Sequence, residues 1–158
     1  MKVVLIGAGG AIGKIITPAI KQKHEIITAG RSGGDVTVDI SSATSIENLF
    51  KQVNNIDAVV CATGDSITCH LSVLTEENVY VGIKQKLLAQ INLVLIGQNY
   101  LNNNGSFTLV SGKMGDKPGK RFSRQVRSEW WYQQFCIGCC FGNAPWYQGK
   151  CGKPFKGC

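Results

Sequence analysis

The sequence predicts an α/β fold, a Rossmann-like doubly wound parallel sheet of strand order 3-2-1-4-5 that is incomplete at its C-terminal side. Two observations carry this reading. Short apolar runs alternate with stretches of helical periodicity, the pattern of a parallel sheet with right-handed crossovers. The first apolar run also ends in a glycine-rich turn that opens directly into a helical pattern.

Lys2–Ile6 is apolar and short, as a fully buried parallel strand should be. After the glycines, Ile12, Ile15, Ile16, Ala19 and Ile20 recur at helical spacing and predict one apolar helix face, with Pro18 as a kink point. "EIITAGR" and "VTVDI" predict strands two and three. Thr44 with Glu47 resembles a capping box for a helix burying Ile46, Leu49, Phe50 and Val53. "DAVVCATG" predicts strand four. Thr75, followed by Glu76 and Glu77, is placed to N-cap a long helix whose Ile83, Leu87, Ile91 and Leu95 are spaced as core. Asn102–Gly105 is expected to stop that helix, and "SFTLVSG" to form strand five.

Charge divides the chain into two parts. Residues 1–112 hold eight Lys/Arg and eight Asp/Glu, whereas residues 113–158 hold nine and two, so the formal +7 belongs to the tail. The expected organisation is therefore a dinucleotide-binding body over 1–112 and an aberrant tail over 113–158. The run "VVLIG" passes straight into glycines without a cleavage site, so no targeting segment is expected. No stretch reaches the roughly 18 apolar residues of a membrane span. Cys61 and Cys69 are isolated thiols, which makes a reducing cytoplasm the default setting. His24 and His70 stand alone as well.

The spacing Gly7-x-x-Gly10-x-x-Gly13, between a strand and an amphipathic helix, suits a pyrophosphate seated on N–H groups at a helix N-terminus. A plain tight βα turn is the alternative. Arg31 directly follows strand two, where an acidic residue would grip a ribose 2′-hydroxyl. A guanidinium there favours NADP over NAD, unless Arg31 is only a solvated loop residue.

Together these residues resemble the short-chain dehydrogenase/reductase family. The likeness covers residues 1–112: the glycine loop through Ile12, "AGR" after strand two, Asp39 where the family contacts adenine, and "CATG" (Cys61–Gly64) where the family has N-N-A-G. It implies cofactor contacts by Gly7, Gly10, Ile12, Gly13, Arg31, Asp39, Ala62, Thr63 and Gly64. It further implies hydride transfer between NADP(H) and a carbonyl or alcohol of unknown identity, and a homo-oligomer. Ser111 falls at the family's catalytic serine, and Lys86 at its asparagine. The tyrosine and lysine of Y-x-x-x-K are not found: Tyr80 and Tyr100 precede Ser111, and neither Tyr132 nor Tyr147 has a lysine four residues on. A non-catalytic dinucleotide-binding or sensor protein is the alternative function.

The tail carries five of the seven cysteines (Cys136, Cys139, Cys140, Cys151, Cys158) and all three tryptophans (Trp130, Trp131, Trp146). Cys136-x-x-Cys139 with Cys151 and Cys158 could supply four thiolates to zinc, but the second pair is spaced too widely. A basic aromatic arm for nucleic acid is a second possibility. The genetic code favours a third. Read one base out of phase, the tail codons permit A-L-E-M-P-R-G-I-K-V-N-V-V-S-P, similar to the family's segment "A-L-E…G-I-R-V-N-V-V-S-P". The tail is thus expected to be out of frame and truncated, with the switch between Lys113 and Arg121. Arg121, Arg124 and Arg127 then occupy positions where an apolar helix face is needed, so this segment is expected to stay off the sheet. No metal, nucleic acid or membrane is expected as a partner. Elemental analysis of the full chain, purified without chelators, should find no stoichiometric zinc; about one zinc per chain, lost together with structure, would promote the binding-tail reading.

Overall fold

In the computed structural model, residues 1–64, 73 and 75–110 are described. Ser111, Cys69, His70 and the whole 113–158 tail, with its zinc, nucleic-acid and out-of-frame readings, lie outside the described residues. The order is β1 (Lys2–Ile6), α1 (Ala11–Lys21), β2 (Glu25–Gly30), β3 (Val36–Thr37), α2 (Ala43–Gln52), β4 (Ile56–Cys61), α3 (Glu76–Gly82), a π-helical turn (Ile83–Leu88), α4 (Ala89–Gly97) and β5 (Leu101–Leu109). All strand pairs are parallel, and the sheet runs β3-β2-β1-β4-β5 as the sequence predicts.

The centre of the sheet is β1, and its Val4, Leu5 and Ile6 have no exposed surface. That explains its unbroken apolar run: a strand covered on both faces has no solvent side to alternate toward. One side of the sheet is covered by α2 and α4. Ile46, Leu49 and Phe50 of α2 join Ala89 and Leu93 of α4 in a single cluster with Val4, Ile6 and Val59. Phe50 stacks on Tyr100 with ring centroids 5.7 Å apart.

Several local expectations shift. The N-cap of α2 is Ser42, whose side chain accepts from the Ser45 N–H, and not Thr44; the helix begins two residues earlier. The third strand pairs over only Val36–Thr37, because Asp39 and Ser41 turn the chain immediately afterwards. Asn102–Gly105 does not stop the long helix, which ends at Gly97. Those residues form a bulge inside β5: Ile56 pairs with Leu101, but Ala58 pairs with Ser106. Asn104 takes the bulge's left-handed corner at φ 67°, and Asn102 Nδ2 donates to Asp57 Oδ1 at 2.8 Å.

Thr75 caps the long helix as expected, its hydroxyl accepting from the Asn78 N–H at 3.3 Å. The buried face, however, is formed by Lys86, Ala89, Gln90, Leu93, Val94 and Gly97, while Leu95 is exposed. The expected Ile83–Leu87–Ile91–Leu95 stripe is not the buried face because α4 is apolar almost all round and the π turn rotates the residues beyond it. Helix Glu76–Gly97 spans 22 residues and is long and apolar enough by composition to cross a membrane. Here its Ala89 and Leu93 are part of the domain core. The apolar face expected of α1 is largely uncovered, with Ile12 and Ile15 both exposed.

Truncating Phe50 removes a ring that is 1% exposed from the α2–α4 contact. Phe50→Ala should destabilise the domain by about 3–5 kcal/mol, read as a lowered urea midpoint. A loss below about 1 kcal/mol would mean that this contact does not support the sheet.

Candidate dinucleotide cleft

The cleft opens at the carboxyl ends of β1 to β4, where the strand order reverses between β1 and β4. That switch point is where doubly wound sheets place their ligands, because the loops leave in opposite directions. Its volume is about 760 Å³, within the range of small-molecule and cofactor sites.

The glycine loop forms the floor. Gly7 has φ +88°, and a Cβ there would lie 2.9 Å from Thr63 Cβ and 3.0 Å from the Ala62 carbonyl. A side chain at Gly13 would collide with the Gly7 carbonyl oxygen and the Ala8 backbone. These two approaches bring α1 and the end of β4 against the same turn. The Gly7 N–H donates to the Ala29 carbonyl at 2.8 Å, which ties the turn to β2 as well.

Helix α1 is N-capped by Gly10, which brings no side-chain cap, and has no acidic residue in its first turn. Its first N–H groups and the positive end of its dipole are left to whatever sits in the cleft, and Gly9 beside them faces open space. The residues present therefore fit a pyrophosphate. Lys14 and Thr17 of α1 also line the cleft.

The second wall is the segment after β2. Arg31, Ser32, Gly33 and Gly34 all line it. Asp39 closes the far side, its Oδ1 accepting from the Ser41 N–H at 2.9 Å and the Ser41 hydroxyl at 2.7 Å. Ser41's two donors hold the Asp39 carboxyl below the usual carboxylate range, with a smaller contribution from the Arg31 charge.

At the β4 end, Thr63 and Gly64 line the cleft together with Gln85 from the π turn. Gly64 lies over the stem of Lys86, whose Cγ would be 3.2 Å from a Cβ at that position. Lys86 is buried one helical turn before Gln90, whose amide Nε2 donates to the Thr63 and Val110 carbonyls at 3.4 Å each. Gln90 Oε1 is buried with no hydrogen-bond partner. Burial pushes the Cys61 thiol up, so it stays a neutral core residue rather than a nucleophile.

Of the expected cofactor residues, the structure places Gly7, Gly10, Arg31, Asp39, Thr63 and Gly64 on the cleft. Gly13 and Ala62 lie behind it, packed on Gly7. Ile12 is not brought to the cleft. Sequence reasoning missed Lys14, Thr17 and the Ser32–Gly34 loop; the signal available was Gly33-Gly34-Asp35 so soon after a strand. Among the described residues, no group of three His, Cys, Asp or Glu could hold a metal.

No family model matches the chain, and no curated protein matches it. Solved structures do. The protein lin1944 from Listeria innocua is 41% identical with a TM-score of 0.84, over 88% of this chain and 70% of that one. A small-chain dehydrogenase crystallised with NADPH is 18% identical with a TM-score of 0.80, over 89% of this chain and 64% of that one. A short-chain dehydrogenase/reductase from Vibrio parahaemolyticus is 17% identical with a TM-score of 0.75, over 86% of this chain and 70% of that one.

The Asp39–Ser41 turn should depend on pH. The folded pKa of Asp39 lies below 3.8, so its stabilisation is fully present above 3.8 and is lost as the pH falls through the lower folded value. Asp39→Asn should flatten the acid limb of the stability–pH curve below pH 3.8. An unchanged acid limb would show that the turn holds without the carboxylate charge.

Proposed function

The chain belongs to the short-chain dehydrogenase/reductase family, and we propose that its cleft binds NADP(H) in preference to NAD(H) and serves an oxidoreductase acting on a carbonyl or alcohol. One observation carries the cofactor reading: an uncapped helix N-terminus and Arg31 line the same cleft. The first suits a pyrophosphate, and the second suits a ribose 2′-phosphate, for which a planar guanidinium offers paired donors. The nicotinamide would supply hydride transfer. The chain's own part is to seat the phosphates on the Gly7–Gly13 turn, hold the adenosine end between Arg31 and Asp39, and present the nicotinamide end at Thr63 and Gly64.

Binding is better supported than turnover. Ser111 stands at the family's serine position, but the chain has no tyrosine followed four residues later by lysine beyond it. That pair is the family's proton donor to the substrate oxygen, and general acid–base help is commonly worth 10²–10⁴-fold. Its loss favours a second reading, a dinucleotide-binding protein without turnover. The 113–158 tail is proposed to be out-of-frame sequence, testable by resequencing codons 113–121. A cytoplasmic setting agrees with the free, buried Cys61.

Titration of the full chain with each cofactor is the test. NADPH should bind about tenfold or more tightly than NADH, and Arg31→Ala should remove most of that difference, on the scale of one charge-assisted contact. Equal curves for the two cofactors before and after the substitution would refute the Arg31 assignment.

A further inference from the structure

Parallel neighbours in a sheet ordinarily need a crossover of a dozen or more residues, usually a helix. Here β2 and β3 pair in parallel, Ala29 with Val36 and Gly30 with Thr37, although only Arg31–Asp35 connects them. The chain must leave the sheet, reverse twice and re-enter in the same direction within that span.

A cluster of hydrogen bonds between Thr28 and Asp35 closes the excursion. Asp35 Oδ2 accepts from the Thr28 N–H and from the Thr28 hydroxyl, both at 2.8 Å. The Asp35 N–H returns to the Thr28 carbonyl at 2.8 Å and lies 3.1 Å from its hydroxyl. The contacts from Thr28 hold the Asp35 carboxyl below its ordinary range. Gly34 makes the closure possible at φ +117°, where a Cβ would stand 2.8 Å from the Thr28 carbonyl oxygen. Everything between these ends, from Arg31 to Gly34, lines the cleft.

We propose that Thr28 and Asp35 are positioning residues for cofactor selectivity: their clamp pre-forms the Arg31–Gly34 loop as the seat of a ribose 2′-phosphate. The proposal rests on the NADP(H) reading above. A loop already closed presents Arg31 and the neighbouring N–H groups without first having to be ordered by the ligand, and pre-organisation of this kind strengthens binding. An adenosine ribose that lacks the phosphate has no group to place in the loop and gains little from the clamp. Asp35 therefore acts through the loop and needs no contact with the cofactor.

The test compares Kd for NADPH and NADH in the full chain and in Asp35→Ala, Asp35→Asn, Thr28→Val and Arg31→Ala, with thermal unfolding of each recorded. Asp35→Ala should weaken NADPH by about tenfold while NADH changes by less than about twofold, a split that a merely structural loss would not produce. Asp35→Asn keeps an acceptor oxygen and should recover part of the preference. Adding Asp35→Ala to Arg31→Ala should cost little more than Arg31→Ala alone, since both act on the same phosphate. If Asp35→Ala does not unfold cooperatively, Asp35→Asn and Thr28→Val carry the test, each expected to narrow the NADPH/NADH ratio. Equal weakening of both cofactors, or an unchanged ratio in the folded variants, overturns the clamp. Wild-type protein with no NADPH preference overturns the cofactor reading itself, a different result from a preference that survives loss of Asp35.

Discussion

The cleft depends on one crowded point, the turn at Gly7. Its positive φ sends the chain out of β1 at an angle that L side chains rarely adopt, and it leaves no room for one against Ala62 and Thr63. Gly13 comes up from the other side so closely that a single methyl group would strike the Gly7 carbonyl. Three elements thus meet on bare backbone: β1, the first turn of α1 and the end of β4. Because β1 is buried on both faces, this turn cannot move without disturbing the centre of the sheet. The rigidity that the proposed phosphate site needs is borrowed from the core.

The cleft's electrostatics show a consistent arrangement. Its cations, Lys14 and Arg31, come from α1 and from the β2–β3 loop. The two carboxylates of that region are both engaged in making turns. Asp35 receives the Thr28 donors and Asp39 receives the Ser41 donors, each on a single oxygen. A carboxylate so bonded is fixed in direction, which limits how far it can swing toward an incoming phosphate. Acidic residues that would oppose an anionic ligand by charge alone instead shape the loops proposed to receive it.

The fold was legible because its strongest signals are collective. Strand order comes from the alternation of β1, β2, β4 and β5 with helices, and the glycine turn lies after β1 at the expected place. The failures have local causes. Thr44–Glu47 looked like a cap, but Ser42 lies nearer the strand exit and reaches the Ser45 N–H first. Asn102–Gly105 looked like a stop signal, yet turn residues serve equally for a bulge, and only the partner strand shows which use is made. The long helix could not be phased from hydropathy, since residues 87–96 are apolar almost all round. Its buried face includes Lys86 and Gln90, polar side chains that a core pattern excludes.

The cleft itself was half legible for a similar reason. Gly7, Gly10, Thr63 and Gly64 belong to short motifs that name themselves, whereas Ser32–Gly34 acquires meaning only once β3 is seen to return beside β2 without a helix. The same distinction separates holding a cofactor from using it. Among the described residues, every cleft-lining group lies at or before Gln85, on the ends of β1 to β4 and the helix that follows β4. Proton transfer in the proposed reaction would draw on residues beyond Val110, where the sequence offers Ser111 but no Y-x-x-x-K. On the proposed reading, the residues for binding and those for chemistry come from different segments of the sequence. If the cleft holds a dinucleotide as proposed, a Rossmann body of this kind would keep that affinity without the acid–base pair, because the proposed phosphate seat and the proton relay draw on different segments and different physical constraints.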